Sequence, residues 1–445
     1  MPQPPHPLPP AAARIPYPAG PYGWRPLVLG AALFFIIGFV TWLNGPLISF
    51  VRVAFTLNDL AAFMVPLVFY FSYFVFSIPS SLSVTRTGFK NGLVYALLLM
   101  AGGMGLTGQC LHARSYPGAL GGFLVLGMGL ALLQVAINPY VSLLGPENRS
   151  AQRIAIMGIC NKLGGIAAPV ALATLAMPHM TDISATLSTL TDTDQRLSVQ
   201  QDFLNSIYWP YMGMAFFLAL TALWVLQSSL PEIRTDICKN NYLEKNFIKI
   251  IFSSLNSRTL LGAGAMFFYV GVEVLSGDAV GTYAQGFGIS LDQTKFFTSL
   301  TLFFMLCGYV AGLVLSPRLI TQERYIPLSC LCGALLSVGA WATHGSISVA
   351  CVTLMGFANS MIFPYLFPLA LKGSGEHTAQ VSAFLVMAYC GGGIVPQLFV
   401  LLKPVMGFQA AFVCLSLFSY ILITLYAHHF MNRDLKKLPL VAKEI

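Results

Sequence analysis

The sequence predicts an all-α membrane protein of twelve transmembrane helices, arranged as two pseudo-symmetric six-helix halves with both termini in the cytoplasm. Three observations lead there. Of 445 residues, 56% are hydrophobic and only 9% charged, where a soluble chain carries about 25% charged residues; mean hydropathy is +0.73. Apolar runs of the roughly 20 residues that a bilayer-crossing helix needs recur along the whole chain. The second half also repeats features of the first in the same order.

The runs are bounded by Gly, Pro or charge and lie at 27–50, 60–80, 91–111, 119–143, 154–177, 207–228, 259–285, 296–316, 325–343, 347–371, 379–402 and 408–430. Residues 1–24 hold nine prolines and read as a disordered cytoplasmic tail. That tail lacks the basic start of a signal peptide, and the first run is long enough to span, so no cleavage is expected. The expected units are an N-terminal half over 25–230, a cytoplasmic linker over 231–258, a C-terminal half over 259–430 and a cytoplasmic tail over 431–445.

Positive charge sets the orientation. With the N-terminus inside, eighteen Lys and Arg fall in cytoplasmic segments, five in outer segments, and Lys162 inside a span. The outer segment 178–206 is acidic and rich in Ser and Thr, with Asp182, Asp192, Asp194 and Asp202. It reads as a solvated linker rather than a metal site. The net charge of +8 is spread thinly over loops and forms no basic patch, which argues against a nucleic-acid partner. Nine cysteines lie scattered in apolar stretches without ligand-like spacing, so inert thiols are expected, with no metal and no cofactor.

The repeat is legible in three places. LFFIIGFVTWLNG from Leu33 in span one aligns with MFFYVGVEVLSGD from Met266 in span seven, an offset of 266 − 33 = 233. Ile137-Asn138-Pro139-Tyr140 in span four matches Ile362-Phe363-Pro364-Tyr365 in span ten at an offset of 225. Ala151-Gln152 and Gly164-Gly165-Ile166 in span five match Ala379-Gln380 and Gly392-Gly393-Ile394 in span eleven at 228. Parallel six-helix halves are the architecture of the major facilitator transporters, where substrate binds midway between them. Arg86-Thr87-Gly88-Phe89-Lys90, between spans two and three, resembles that family's basic, Gly-containing loop, with Thr85 where the signature usually has Asp.

Three charged residues fall within spans: Lys162 in span five, and Glu273 and Asp278 in span seven. A charge at the bilayer centre costs about 2.5–3.5 kcal/mol on insertion scales, so each is a functional candidate. The two acids are separated by about 7.5 Å of rise and 140° of rotation in a regular helix. They share a face only if the helix breaks, and Ser276-Gly277 is a natural place; Asn44-Gly45-Pro46 is its counterpart in span one. Paired interruptions of this kind mark a transporter's binding site.

Uncharged polar residues point the same way. Gln134, Asn138 and Ser142 stack on one face of span four; Asn359 holds the matching place in span ten. Asn161 neighbours Lys162, Gln397 follows Pro396, and Trp42 and Tyr269 offer aromatic faces. Amides beside an aromatic plane suit a polyhydroxylated neutral ligand. The candidate substrate-binding set is therefore Asn44, Trp42, Gln134, Asn138, Asn161, Tyr269, Asn359 and Gln397, with Glu273, Asp278 and Lys162 for proton coupling. The structural alternative is helix-joining hydrogen bonds for the amides and a static bridge for Lys162.

Leu133-Gln134 with Asn138-Pro139-Tyr140, Phe35 to Thr41 with Leu43-Asn44, and Tyr269 to Val274 together resemble the fucose–galactose–glucose:proton symporters of bacteria. The resemblance implies import of a neutral monosaccharide with a proton across a bacterial inner membrane. Fucose carriers of that family have Asp after the Leu-Asn pair of span one and Glu before the Asn-Pro of span four. Here those places hold Gly45 and Gln134. Gln is similar to the glucose/galactose branch, which points to a hexose. Gly45 aligns with Asp278 at the offset of 233, so span seven is expected to supply the coupling acid, through Glu273 or Asp278.

The function expected is a hexose–proton symporter, a monomer whose partners are sugar, proton and the lipid bilayer. The rivals are a facilitator or antiporter, since both departures remove acids, and a multidrug exporter, which would prefer a greasier cavity. An intramembrane enzyme needs a nucleophile, base or metal, and no His sits at mid-span.

Overall fold

The computed structural model describes residues 24–143, 150–176, 180–190, 192–228, 256–315, 322–372, 374 and 378–437. The proline-rich tail, most of the 231–258 linker and the last eight residues lie outside that set. Among the described residues, eleven helical stretches are long and apolar enough to cross a membrane, and a pair bent by 41° makes the twelfth. Their outer surfaces carry large apolar side chains such as Phe216, Leu335 and Val405, largely exposed to the surroundings. That pattern is stable only against lipid.

Span one consists of α1 (Trp24–Thr41) and α2 (Asn44–Ala54), broken at Trp42-Leu43. After α3 (Asp59–Ala62) come α4 (Met64–Thr87), α5 (Phe89–His112), α6 (Tyr116–Leu143) and α7 (Ser150–Leu175), which form spans two to five. Then α8 (Met180–Thr189) leads into the 35-residue α9 (Thr193–Gln227), span six. The second half begins with α10 (Ser257–Gly277) and α11 (Val280–Gln285), the two pieces of span seven, broken at Asp278-Ala279. A turn of helix, α12 (Leu291–Thr294), precedes α13 (Phe297–Leu315) and α14 (Gln322–Ala342). Span ten is the bent pair α15 (Gly345–Asn359) and α16 (Ile362–Leu371). Span eleven is α17 (Thr378–Met387) and α18 (Gly391–Met406), joined by a 3₁₀ turn over Ala388–Cys390, and α19 (Phe408–Lys437) closes the chain.

Two expectations need correction here. Both breaks are displaced from the expected positions: Asn44 opens α2 rather than interrupting a helix, and α10 continues through Gly277. Segment 178–206 carries mostly exposed or half-buried side chains among its described residues, yet it is not irregular. Its described part is helical in α8 and the first turns of α9, where Asp192 caps the helix by accepting from the Asp194 N–H at 3.1 Å.

In lipid no hydrophobic force joins helices, so contact surfaces rely on small residues that let backbones touch. Gly38 on span one would, with a Cβ, collide with the Asn161 carbonyl oxygen at 1.8 Å. Its repeat counterpart Gly271 meets Val395 at 2.4 Å, so span one packs on span five as span seven packs on span eleven. Gly88, at φ 85°, lets α4 turn into α5 through a single residue. Lys90 from that loop donates to the Ser228 carbonyl at 2.7 Å, tying it to the end of span six.

The repeat also shows in how the halves meet. Arg52 donates to Gln285, and the Asp278 carboxyl lies against Gly45. Both pairs are 233 residues apart, the offset of the repeat. A residue on a two-fold axis meets its own equivalent, so spans one and seven cross on the pseudo-two-fold axis.

A candidate binding cavity between the halves

Where spans one, two, four and five face spans seven, eight, ten and eleven, a polar cavity of about 100 Å³ remains. Its floor is an ion pair between the halves. Lys162 of α7 donates to Glu273 Oε1 of α10 at 2.8 Å, with side chains only 6% and 11% exposed. The ammonium also stands 4.6 Å from the centroid of the Trp42 ring. Trp42, released from helical geometry by the span-one break, slots between Gly165 of span five and Gly277 of span seven.

The walls are amides and phenols. The Gln134 amide donates to the Tyr73 hydroxyl at 2.9 Å, which commits one donor to the protein. The Asn161 amide donates to the Phe34 carbonyl at 3.3 Å, anchoring it to span one, and Asn138 lines the same wall. Tyr70 and Tyr73 stack at 6.0 Å, Tyr73 meets Tyr389 at 5.6 Å, and Tyr389 continues through Phe363 to Tyr269. An aromatic collar thus runs from span two of one half round to span seven of the other.

Of the residues singled out from sequence, Trp42, Gln134, Asn138, Asn161, Lys162, Tyr269 and Glu273 line this cavity together. Four do not. Asn359 stands behind it: its side-chain Oδ1 accepts from the Tyr420 hydroxyl at 2.8 Å and its side-chain amide donates to the Ser276 hydroxyl at 3.2 Å. Gln397 lies toward the face predicted to be outside, donating to the Leu60 carbonyl at 3.3 Å. Asn44 is buried at the start of α2, and its side-chain amide nitrogen has no hydrogen-bond partner among the described residues. Asp278 faces Gly45 rather than Lys162, so the two acids of span seven stay apart. The side chain of Ser142 lies outside the described residues.

Sequence reasoning missed Tyr70, Tyr73, Tyr309 and Tyr389. A tyrosine in an apolar run resembles any other aromatic. The available signal was the four-residue stretch Tyr70-Phe71-Ser72-Tyr73, where hydroxyls three apart share a helix face.

The face predicted to be outside is closed by polar contacts between the halves. Asp59 of α3 accepts from Arg52 at 2.9 Å and from Lys403 of the other half at 2.7 Å. Asp292 accepts the backbone N–H groups of Met180 and Thr181, both at 3.1 Å, so a carboxylate of the second half sits at the N-terminus of α8. Lys295 reinforces it at 2.9 Å.

Broken helices meeting at a two-fold axis over a midplane polar cavity are the geometry of a secondary transporter. Residues 30–396 match the family model described as the Major Facilitator Superfamily. The chain belongs to the Major Facilitator Superfamily. A glucose/galactose transporter of Brucella abortus biovar 1 (strain 9-941) is 31% identical over 401 residues, covering 88% of this chain and 91% of that protein. An L-fucose-proton symporter of Escherichia coli (strain K12) is 27% identical over 386 residues, 86% of each chain. The crystal structure of FucP in the outward conformation superposes with a TM-score of 0.73 at 24% identity, over 91% of this chain and 98% of that one. The superfamily and these relatives are transporters, so this member of the family moves a solute and is not an enzyme.

Proposed function

We propose that this chain imports a neutral hexose of the glucose/galactose kind together with a proton, by alternating access, in a bacterial inner membrane with both termini in the cytoplasm. The observation that carries the proposal is the Lys162–Glu273 pair, which joins the two halves inside a cavity where amides and phenols stand among apolar side chains such as Ile37, Val274 and Phe363. Amides and hydroxyls both donate and accept, which matches sugar hydroxyls better than an ion or a lipid. The names of the relatives, a glucose/galactose transporter and an L-fucose-proton symporter, support the same substrate class. At about 100 Å³ the cavity is below the roughly 300 Å³ at which ligand pockets begin. A sugar therefore enters only when the halves rock apart about the midplane site.

The coupling follows from what Lys162 needs. A buried ammonium must have an acceptor. With Glu273 ionised, Lys162 is satisfied by the carboxylate and the halves are tied at their centre. A proton on Glu273 weakens that tie and leaves Lys162 short of an acceptor, which a sugar hydroxyl supplies. Proton and sugar together complete a state that neither completes alone.

The test is uptake of labelled glucose, galactose, mannose and fucose into proteoliposomes, with and without an acid-outside gradient at zero potential. Accumulation of one hexose above equilibrium only with the gradient is the expected result. Glu273→Gln should abolish that accumulation while sugar exchange survives. Equilibration without accumulation in the unmodified protein would make it a facilitator.

A further inference from the structure

The pair at the cavity floor leaves one acid of span seven unused. Asp278 is 2% exposed, and neither carboxyl oxygen finds a full hydrogen bond among the described residues. Among the described residues, groups from four elements besides its own helix bear on it. From α2, the Gly45 backbone amide faces the carboxyl without making a full hydrogen bond to it. A Cβ on Gly45 would stand 3.0 Å from Asp278 Oδ1 and 2.3 Å from Thr298 Oγ1, so span one meets the carboxyl with backbone alone at this position. From α13, the Thr298 hydroxyl is already donated to the Gly277 carbonyl at 2.9 Å. From α7, Lys162 is held by Glu273 at 2.8 Å. Glu273 of the same helix is like-charged, and Tyr70 of α4 completes the titratable neighbours. An ionised carboxylate without counter-charge or hydrogen bonds is so costly in a dry interior that the group takes up a proton instead.

What keeps that carboxyl dry is the other half of the molecule. Asp278 lies at the break of span seven, on the crossing with span one, and Arg52 meets Gln285 further along the same crossing. When the halves part on the Arg52 side, Gly45 withdraws and water reaches the carboxyl. The site is built asymmetrically, with an acid from one half and bare backbone from the other. We propose that Asp278 is a proton-operated lock on the crossing of spans one and seven: protonated while Gly45 covers it, ionised once that side opens, and exchanging its proton only with the water on that side. The step balances as one proton from water joining one carboxylate on closing and leaving it on opening. Because the proton returns to the side it came from, Asp278 gates opening without driving sugar uphill, a role distinct from that of Glu273.

This inference rests on the transport reading, yet its test uses neither sugar nor gradient, so the two fail separately. Acid–base infrared difference spectra of the full chain in lipid nanodiscs report the carbonyl band of a buried protonated carboxyl. That band should be lost in Asp278→Asn and kept in Glu273→Gln. Hydrogen exchange of the 44–54 backbone, corrected for intrinsic rates, should then rise with pH by up to about tenfold per unit, the slope of a one-proton linkage. In Asp278→Asn it should stay at its low, closed value, and Asp278→Glu should restore the slope. A band that survives in Asp278→Asn overturns the proposal, as does an unchanged exchange slope in that variant. So does opening that follows added sodium at fixed pH rather than pH itself.

Discussion

The two halves are tied by charged groups at two depths, and the ties differ in kind. At the centre, Lys162 and Glu273 form one bond of 2.8 Å with almost no water contact. At the face predicted to be outside, Asp59 takes Arg52 and Lys403 together, with side chains 22–28% exposed. Identical chemistry has opposite consequences in the two places. Removing one partner of a buried pair leaves an uncompensated charge and costs about 3–5 kcal/mol, whereas an exposed pair contributes about 0–1 kcal/mol. On the proposed mechanism the central pair therefore changes state only when a proton or ligand replaces the lost partner. The outer cluster, about a quarter exposed, is expected on that mechanism to open and close with each cycle.

The largest effect expected is that of Lys162→Ala, which strands Glu273. It should lower stability by about 3–5 kcal/mol, read as thermal unfolding in detergent, and abolish uphill accumulation. Combining Lys162→Met with Glu273→Gln should recover most of that stability but none of the accumulation. If the double variant is no more stable than the worse single one, the pair does not act as a buried unit.

Next in size is Asn359→Ala. It should cost about 1–3 kcal/mol by unpairing Tyr420 and Ser276, with little change in sugar KM, since Asn359 stands behind the cavity. Gln134→Ala should do the reverse, raising KM with a small stability change, because its amide lines the wall. Sugar binding by calorimetry beside thermal unfolding separates the two; equal behaviour would erase the boundary drawn between wall and support.

The smallest effect belongs to the outer cluster. Asp59→Asn should cost at most about 1 kcal/mol, and that cost should shrink as salt rises from 0.01 to 1 M, where screening shortens from about 30 to 3 Å. Its signature is instead faster labelling of a cysteine placed beneath the cluster. A loss as large as that of Lys162→Ala would show that the outer contacts hold the fold as firmly as the central pair.

Much of this was legible because lipid imposes simple rules. Apolar length located the spans, and the offset of 233 anticipated that Gly45 and Asp278 occupy equivalent places. Charge in an apolar run singled out Lys162 and Glu273, since their cost in hydrocarbon demands a reason. The amides were harder. Gln134 and Asn359 look alike in sequence, yet one reaches the cavity and the other braces Ser276 from behind. The tyrosines of the collar carried no signal of charge, and only packing turns their hydroxyls inward.

The sequence by itself therefore determined the membrane environment, the two-fold repeat and the helices that break, because hydrophobic length, internal similarity and Gly/Pro chemistry are local properties of the chain. Only the tertiary structure decided which acid Lys162 takes. Glu273 and Asp278 are five residues apart on one span, and the choice depends on how span seven crosses spans one and five. That crossing places Glu273 against Lys162 and Asp278 against bare Gly45. Separation along the chain fixes how far apart two carboxyls sit on a helix, but which neighbour each one meets is set by a helix more than a hundred residues away in sequence.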